Sequence, residues 1–129
     1  LEHGIRQPGD DATRMSQMPA FGRDGILKPA EIEDVVSYVR FAGGQERDSI
    51  SAKRGATLYE ANCVACHSAD LKGNREMGAP NLKDAIWLYG GDRQSIANTV
   101  ANARYGVMPA WNKKLDPATL NMLTAYVHS

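Results

Sequence analysis

The stretch Cys63-Val64-Ala65-Cys66-His67 contains both cysteines of the 129-residue chain. Two thiols separated by two residues, with an imidazole directly after the second, form the pattern by which a c-type haem is attached. On a helical turn, this spacing lets the two sulfurs reach the two vinyl groups of one porphyrin, and the histidine lies beneath the iron as its proximal ligand. The stretch therefore predicts covalent haem at Cys63 and Cys66, with His67 as an axial ligand of the iron.

A Cys-x-x-Cys pair also occurs in two other kinds of site. A zinc site needs two further ligands, and the remaining histidines, His3 and His128, show no paired ligand spacing. A thioredoxin-like redox pair lies beside a strand-helix-strand pattern, and the sequence has no strand-like run rich in valine and isoleucine. Both alternatives are therefore less well supported than haem attachment.

The composition indicates one ordinary domain or two very small ones, with 43% hydrophobic residues. Fifteen basic residues balance fifteen acidic ones, which gives no indication of nucleic acid or a membrane surface as a partner. Mean hydropathy is −0.43, and no apolar run approaches the roughly 18 residues of a membrane-spanning helix. The chain starts at Leu1 without a signal-peptide pattern, from which we expect a mature or truncated form of a longer product.

Apolar residues at helical spacing predict four helices besides the turn of the cysteine motif, and no strands, so the predicted fold is all-α. The first helix runs from about Pro29 to Ala42, with proline at its first position. The second begins with Ser51 as its N-cap and leads into the cysteine motif. Asp92 is predicted to cap the third helix and Asp116 the fourth, which is the last element of the chain.

A glycine on the second helix predicts where two helices meet. Gly55 precedes Tyr59 by four residues, so a bare patch and a ring share one face, as a close helix crossing requires. We expect the terminal helix to cross there. Its apolar face contains Leu120, Leu123, Tyr126 and Val127.

Between the second and third helices, residues 69–82 contain two glycines and a proline, which predict an irregular loop of the kind that wraps a cofactor. The run Ala85-Ile86-Trp87-Leu88-Tyr89 follows this loop. We expect its bulky side chains to be buried against either the porphyrin or the protein core, and both possibilities are left open.

An internal repeat relates the two ends of the chain. Met18-Pro19-Ala20-Phe21 matches Met108-Pro109-Ala110-Trp111 at an offset of 90 residues, and Tyr38-Val39 matches Tyr126-Val127 at an offset of 88. Residues 1–44 are therefore predicted to be the C-terminal half of a first haem domain, whose cysteine motif would precede Leu1. Residues 45–52 are a predicted linker, and residues 53–129 a complete second domain.

The repeat also selects a sixth iron ligand from the five methionines. Met108 lies 41 residues past His67, precedes a proline and recurs as Met18 in the other copy. Histidine and a thioether together give a six-coordinate centre of high potential. We therefore predict Met108 as the distal ligand of the iron on His67, and Met18 in the same role for a haem held by the missing half. Met15 and Met122 are interpreted as packing residues and Met77 as a loop residue.

Four stretches together resemble a known family: the cysteine motif, Gly78-Ala79-Pro80-Asn81-Leu82, Trp87-Leu88-Tyr89-Gly90-Gly91-Asp92, and Gly106-Val107-Met108-Pro109-Ala110-Trp111. They are similar to the second haem domain of the dihaem subunit III of cbb3-type cytochrome c oxidases. The segment from Gln17 to Val39 resembles the end of that subunit's first haem domain. The resemblance implies a class I cytochrome c fold in tandem, with small helices wrapped around a covalently bound haem.

The same resemblance implies an electron-transfer subunit of a bacterial inner-membrane respiratory complex, with its haem domains on the periplasmic face. One haem c would be attached to this chain, and a second is expected if the missing half of the first domain is present. The implied partners are the catalytic and monohaem subunits of the oxidase and a small electron-donor cytochrome. Membrane association would come only through an N-terminal anchor outside this sequence. By analogy with small c-type cytochromes, the carbonyl of Pro80 would orient His67.

Two other functions remain open on the sequence. The chain could be a cytochrome domain that serves another oxidoreductase, or a haem gas-binding or peroxidase domain with an open distal site. The second possibility requires Met108 to dissociate from the iron. If His67 and Met108 fill both axial positions, the protein has no catalytic site of its own and transfers electrons only.

Overall fold

The computed structural model describes residues 1–13, 16–104 and 106–129, which leaves Met15 outside the described residues. The helices are α1 (Pro29–Ala42), α2 (Ile50–Asn62), α3 (Val64–His67), α4 (Arg93–Asn102) and α5 (Pro117–His128). In these three ranges the only extended pairings are two isolated bridges, Ile5 with Met108 and Asn74 with Ala79. The predicted all-α class is confirmed. Within the described part of the chain, none of the helices has the length and hydrophobicity needed to cross a membrane.

The chain divides into two compact units. The haem-motif unit is Met18–Arg104, and the terminal unit combines Leu1–Gln17 with Tyr105–Ser129. This division follows packing, whereas the boundaries proposed above follow the repeat, and those boundaries stay a prediction.

Helix ends follow the predicted caps with one exception. Asp92 accepts a hydrogen bond from the backbone N–H of Ser95 at 3.0 Å, and Asp116 accepts one from Thr119 at 3.1 Å, so both caps are confirmed. The N-cap of α2 is Ser49, whose hydroxyl accepts a hydrogen bond from Ala52 N at 3.0 Å, and the prediction of Ser51 was wrong.

Ser51 lies inside the first turn of α2, where it links α2 to α1 and does not cap the helix. Its hydroxyl donates to Asp34 Oδ1 at 2.5 Å, across the contact between α1 and α2. Ser49 has the extended backbone that an N-cap needs, with φ −151° and ψ 166°. Ser49 and Ser51 are separated by one residue, so local sequence alone does not show which serine caps α2 and which one contacts α1.

Helix α1 crosses α2 at Gly55. A Cβ at this position would collide with the carbonyl oxygen of Asp34 and would lie 2.9 Å from Tyr38 Cβ. The rings of Tyr38 and Tyr59 meet at the same crossing, with centroids 5.3 Å apart. The predicted crossing at Gly55 exists, but α1 makes it, and the expectation that the terminal helix crosses there was wrong.

The core of the haem-motif unit combines α1, α2, α4 and their connecting loops. It is formed by Phe21, Leu27, Ile32, Val35, Val36, Val39, Tyr59, Leu71, Ile96, Ala97 and Val100. Burial of each aliphatic side chain stabilises the fold by about 1.5–3 kcal/mol relative to leaving it exposed. Met18, Cys63 and Trp87 pack against this cluster from its edge.

An ionic network fastens α1 to α4 through the segment that follows α1. Glu46 accepts hydrogen bonds from Arg40 at 2.6 Å and from Arg93 at 3.1 Å. Arg93 also donates to Ser37 Oγ at 2.7 Å, and Arg40 donates to the carbonyl of Gly91 at 2.6 Å. Because each arginine makes more than one of these contacts, the network sets the position of α1 in the unit.

The terminal unit is held by backbone pairing between its two segments. Ile5 and Met108 exchange two hydrogen bonds of 2.9 and 3.0 Å, and Trp111 N donates to Leu1 O at 3.0 Å. Helix α5 buries Leu120 only. The other apolar side chains of its predicted face are exposed, as is Met122, so the interpretation of Met122 as a packing residue was wrong.

Candidate haem site

The cysteine motif forms a single helical turn directly after α2. Cys63 is the C-cap of α2, and its N–H donates to Tyr59 O at 2.8 Å. Its carbonyl accepts hydrogen bonds from Cys66 N at 3.2 Å and from His67 N at 2.9 Å, which closes the turn. Both thiols are free and half-buried. The cysteine motif therefore lies on one helical turn, as haem attachment requires.

His67 is buried, and its imidazole has a defined partner. Its Nδ1 lies 3.1 Å from the carbonyl oxygen of Pro80. Burial lowers the pKa of His67, although this hydrogen bond opposes the shift. A neutral imidazole that donates its Nδ1 proton to a carbonyl keeps the lone pair on Nε2, the atom that binds a metal. The structure thus brings together His67 and Pro80, the pair that was expected by analogy with small c-type cytochromes.

A glycine allows the loop to bring Pro80 to His67. Gly73 has φ +80°, and a Cβ there would collide with Ala79 O and lie 2.6 Å from the carbonyl carbon of Pro80. Gly73 N donates to His67 O at 3.0 Å, while Asn74 and Ala79 exchange two hydrogen bonds of 3.0 Å. The loop therefore folds back on the motif at a position that only glycine fills without strain.

Tyr59 fastens the other end of the motif to the core. Its hydroxyl donates to the carbonyl oxygen of Ser68 at 2.8 Å, one residue past His67. Burial raises the pKa of Tyr59, so the hydroxyl keeps its proton and remains a donor. The sequence showed Tyr59 only as a partner of Gly55, and no local signal indicated this hydrogen bond.

The surroundings of Cys63 favour the protonated form of its thiol. Burial, together with the neighbouring Cys66, raises its pKa to about 11. Dithiol oxidoreductases use cysteines of lowered pKa, because the thiolate is the reactive form. The thioredoxin-like alternative is therefore disfavoured. Among the described residues, no three His, Cys, Asp or Glu side chains lie together as possible ligands of a metal ion.

An unpaired donor provides a test of whether the site fits haem. Trp87 Nε1 is buried and has no hydrogen-bond partner in the part of the chain that the structure describes. A buried donor without a partner costs about 1–3 kcal/mol, so a native fold retains it where a bound group supplies an acceptor. Haem has two propionate carboxylates, and this indole, the two thiols and the oriented imidazole all fit that group.

The run around Trp87 is less buried than the sequence indicated. Trp87 packs against the core, and a Cβ at Gly91 would lie 2.6 Å from its Cδ1. Ile86, Leu88 and Tyr89 are exposed. Packing against the core is therefore confirmed for Trp87, which is partly buried there, and is wrong for Ile86, Leu88 and Tyr89. Contact of these side chains with a porphyrin stays a prediction.

The two methionines chosen from the repeat belong to different compact units. Met18 lies in the haem-motif unit and packs against the edge of its core. Met108 lies in the terminal unit, where its backbone pairs with Ile5. Ligation of one iron by His67 and Met108 stays a prediction. The presence of Met18 in the same compact unit as the cysteine motif was not foreseen, because the sequence assigned Met18 to the other haem domain.

Residues 51–127 match the family model described as cytochrome c oxidase, cbb3-type, subunit III. The chain is 51% identical to the cbb3-type cytochrome c oxidase subunit CcoP of Cereibacter sphaeroides, over 99% of the chain and 44% of that protein. It is 52% identical to the cbb3-type cytochrome c oxidase subunit FixP of a Bradyrhizobium species, over 100% of the chain and 44% of that protein. The chain spans less than half the length of the curated relatives that it matches.

Proposed function

Because this chain belongs to the family of cbb3-type cytochrome c oxidase subunit III, we propose that it is an electron-transfer c-type cytochrome of such an oxidase. It relays electrons towards the oxygen-reducing catalytic subunit in aerobic respiration. One observation carries the proposal: a buried imidazole directly follows the second cysteine and is held by the Pro80 carbonyl, which leaves Nε2 free for iron.

Four residues hold the haem in this proposal. Cys63 and Cys66 supply the two sulfurs of the thioether bonds, and His67 supplies the proximal nitrogen. Met108 supplies the sulfur at the sixth position, which the repeat supports. When bound, haem c supplies an iron that cycles between two oxidation states by one electron. A second haem c, with Met18 as its axial ligand, belongs to the first domain if the other half of that domain is present.

The residues around the motif would orient the groups that hold the haem. The hydrogen bond to Pro80 keeps the His67 ring from rotating and raises its basicity towards iron. Trp87 would donate its indole N–H to a propionate of the bound haem, which would compensate for the burial of this donor. If His67 and Met108 are the two protein ligands of the iron, no iron position would remain for a substrate, and the chain would transfer electrons only.

The partners in the proposal are the catalytic and monohaem subunits of the oxidase and a small electron-donor cytochrome. The relatives' names, which describe subunits of cbb3-type oxidases, support this assembly. The chain would lie on the periplasmic face of the bacterial inner membrane, held there by an anchor outside this sequence.

The function is tested with holo-protein from a host that matures c-type cytochromes. Reduced protein is mixed with a purified cbb3 oxidase core that lacks subunit III, and its reoxidation is followed by stopped-flow absorption. We expect oxidation clearly faster than that of an unrelated small cytochrome c of similar charge. Equal rates for the two cytochromes would favour a role with another oxidoreductase. Carbon monoxide binding to the reduced protein at neutral pH would favour a gas-binding or peroxidase domain.

A control variant shows whether the covalent haem is responsible. Cys66→Ala removes one thioether and should lose covalent haem together with much of the fold, because a domain of this size has a marginal core. Mass spectrometry and circular dichroism measure the two losses. A normally folded apo-protein would contradict this expectation.

A further inference from the structure

The residue that follows the cysteine motif has an unfavourable backbone conformation. Ser68 has φ 65° and ψ 157°, a region of backbone space that is occupied almost only by glycine. A residue with a Cβ stays in this region only where its surroundings hold it there, and such residues concentrate at functional sites. Ser68 directly follows His67, and hydrogen bonds on both its backbone and its side chain hold it in place.

The backbone of Ser68 is fixed on both of its sides. Its N–H donates to Val64 O at 2.9 Å, which ends the helical turn of the cysteine motif. Its carbonyl oxygen accepts a hydrogen bond from the hydroxyl of Tyr59 at 2.8 Å and another from Leu71 N at 3.2 Å. Tyr59 and Leu71 are 2% and 3% exposed, so both donors belong to the core. The core of the haem-motif unit therefore holds the residue next to the axial histidine.

The side chain of Ser68 is bonded to the loop that carries Pro80. Its hydroxyl donates to the carbonyl oxygen of Gly73 at 3.0 Å. Gly73 N donates in turn to His67 O, also at 3.0 Å. Both polar groups of the Gly73 backbone are thus bound to the end of the cysteine motif, and Ser68 supplies one of the two bonds.

Gly73 is also the residue through which this end of the loop touches Pro80. A Cβ at Gly73 would lie 2.6 Å from both the carbonyl carbon and the carbonyl oxygen of Pro80. That oxygen is the one that lies 3.1 Å from His67 Nδ1. Because no side chain separates the two backbones, a displacement of Gly73 displaces the acceptor of the His67 imidazole as well.

From these contacts we infer that Ser68 is a positioning residue for the axial imidazole. Its hydroxyl fixes Gly73, and Gly73 fixes the Pro80 carbonyl. This carbonyl sets the orientation of His67 and the basicity of its Nε2. Glycine adopts the backbone conformation of Ser68 without strain, but it has no hydroxyl for the bond to Gly73. The inference rests on the proposed function, since it requires iron on His67.

The test compares Ser68→Ala and Ser68→Gly as holo-proteins. Alanine removes the hydroxyl and keeps the strain, whereas glycine removes both. Two measurements report on the imidazole: the exchange rate of the His67 Nδ1 proton with solvent, followed by NMR in the reduced, diamagnetic state, and the reduction potential. Ser129→Ala is the matched control, because the Ser129 hydroxyl also donates to a backbone carbonyl, that of Tyr126 at 2.7 Å, at an exposed position.

We expect both variants at position 68 to exchange the Nδ1 proton about tenfold faster than the parent, because the hydrogen bond to Pro80 opens more often. Their reduction potentials should rise, because a weaker hydrogen bond makes the imidazole a poorer electron donor to oxidised iron. Denaturant titration should find Ser68→Gly more stable than Ser68→Ala, since relief of strain outweighs the flexibility that glycine adds to the unfolded chain. Ser129→Ala should change neither the exchange rate nor the potential.

Unchanged proton exchange and an unchanged potential in both variants would overturn the inference, even if stability falls, because Ser68 would then act on the fold alone. The proposed function survives that result, since it is tested separately by electron transfer from the parent protein to the oxidase core. A parent protein that carries no covalent haem would overturn the proposed function and the inference together.

A second substitution tests the same contacts from the side of the core. Tyr59→Phe removes only the hydroxyl that donates to Ser68 O, and the ring still fills its buried position. It should shift the exchange rate and the potential in the same direction as Ser68→Ala. Tyr126→Phe, at an exposed position, should shift neither. A shift of the potential opposite in sign to that of Ser68→Ala would contradict the positioning role.

Discussion

The Nδ1 atom of His67 lies 3.1 Å from the carbonyl oxygen of Pro80, a residue 13 positions further along the chain. This hydrogen bond joins the turn of the cysteine motif to the loop that follows it. It fixes both the tautomer and the plane of the imidazole, and so decides which nitrogen is presented to a metal. The residues that maintain this relationship are accordingly those whose substitution should disturb the site most.

Gly73→Ala should disrupt the loop that carries Pro80. The new Cβ collides with the carbonyl of Ala79, and alanine is strained at φ +80°. We expect a loss of more than about 2 kcal/mol in the free energy of unfolding of the holo-protein, measured by denaturant titration. Gly25→Ala is the matched control, because Gly25 has φ +70° and a Cβ added there would meet nothing within 4 Å. Equal losses for the two variants would show that the contact with Ala79 is unimportant.

Gly55→Ala should destabilise the crossing of α1 over α2. Alanine favours a helix by about 1 kcal/mol over glycine, but here its methyl group collides with the Asp34 carbonyl. Overpacking of this kind costs about 1–3 kcal/mol, so we expect a net loss of stability in denaturant titration. Gly43→Ala is the control, since its nearest neighbour lies at an ordinary 3.4 Å. A Gly55→Ala protein more stable than the parent would mean that α1 does not cross there.

Asp34→Asn should reduce stability at neutral pH and have little effect in acid. Arg54 donates two hydrogen bonds of 2.7 Å to Asp34, and they lower the pKa of this carboxyl group. A lowered folded-state pKa adds stability above the unfolded value of about 3.9, which is lost as pH falls through the folded value. The stability difference between parent and variant should therefore be larger at pH 6 than at pH 2.

The control for this pH dependence is Asp24→Asn. Asp24 pairs with Arg23 on the surface, where both side chains are largely exposed and solvent screens the pair. Its substitution should change stability little at either pH. A stability loss for Asp34→Asn that is the same at pH 6 and pH 2 would falsify the assignment.

Trp87→Phe should weaken the holo-protein through the loss of one hydrogen-bond donor. If the indole N–H donates to a propionate, its removal leaves a buried carboxylate with one partner fewer. We expect a loss of about 1–3 kcal/mol in stability and a raised propionate pKa, detected in the pH dependence of the reduction potential. Trp111→Phe, in the terminal unit, is the control. An unchanged pH dependence for Trp87→Phe would exclude the propionate contact.

Local sequence was sufficient where short-range chemistry decides the structure. The bounds of α1 were predicted as Pro29 to Ala42 and are confirmed, because a proline start and a glycine pair after the end act within one turn. The caps Asp92 and Asp116 are confirmed for the same reason. The spacing of Cys63, Cys66 and His67 likewise predicted their placement on one helical turn, since that geometry depends on five consecutive residues.

By itself, then, the sequence determined the helices, the motif and the family resemblance, all of which depend on residue order and spacing. The tertiary structure alone decided that α1 occupies the crossing at Gly55, that Ser49 caps α2, and that Ile86 and Leu88 are exposed. It also decided that Met18 shares a unit with His67. The physical reason is that α1 and α5 carry the same apolar pattern, so local preference cannot choose between them. Only the backbone contact at Gly55 and the hydrogen bonds of Arg40 and Arg93 determine that α1 packs against α2.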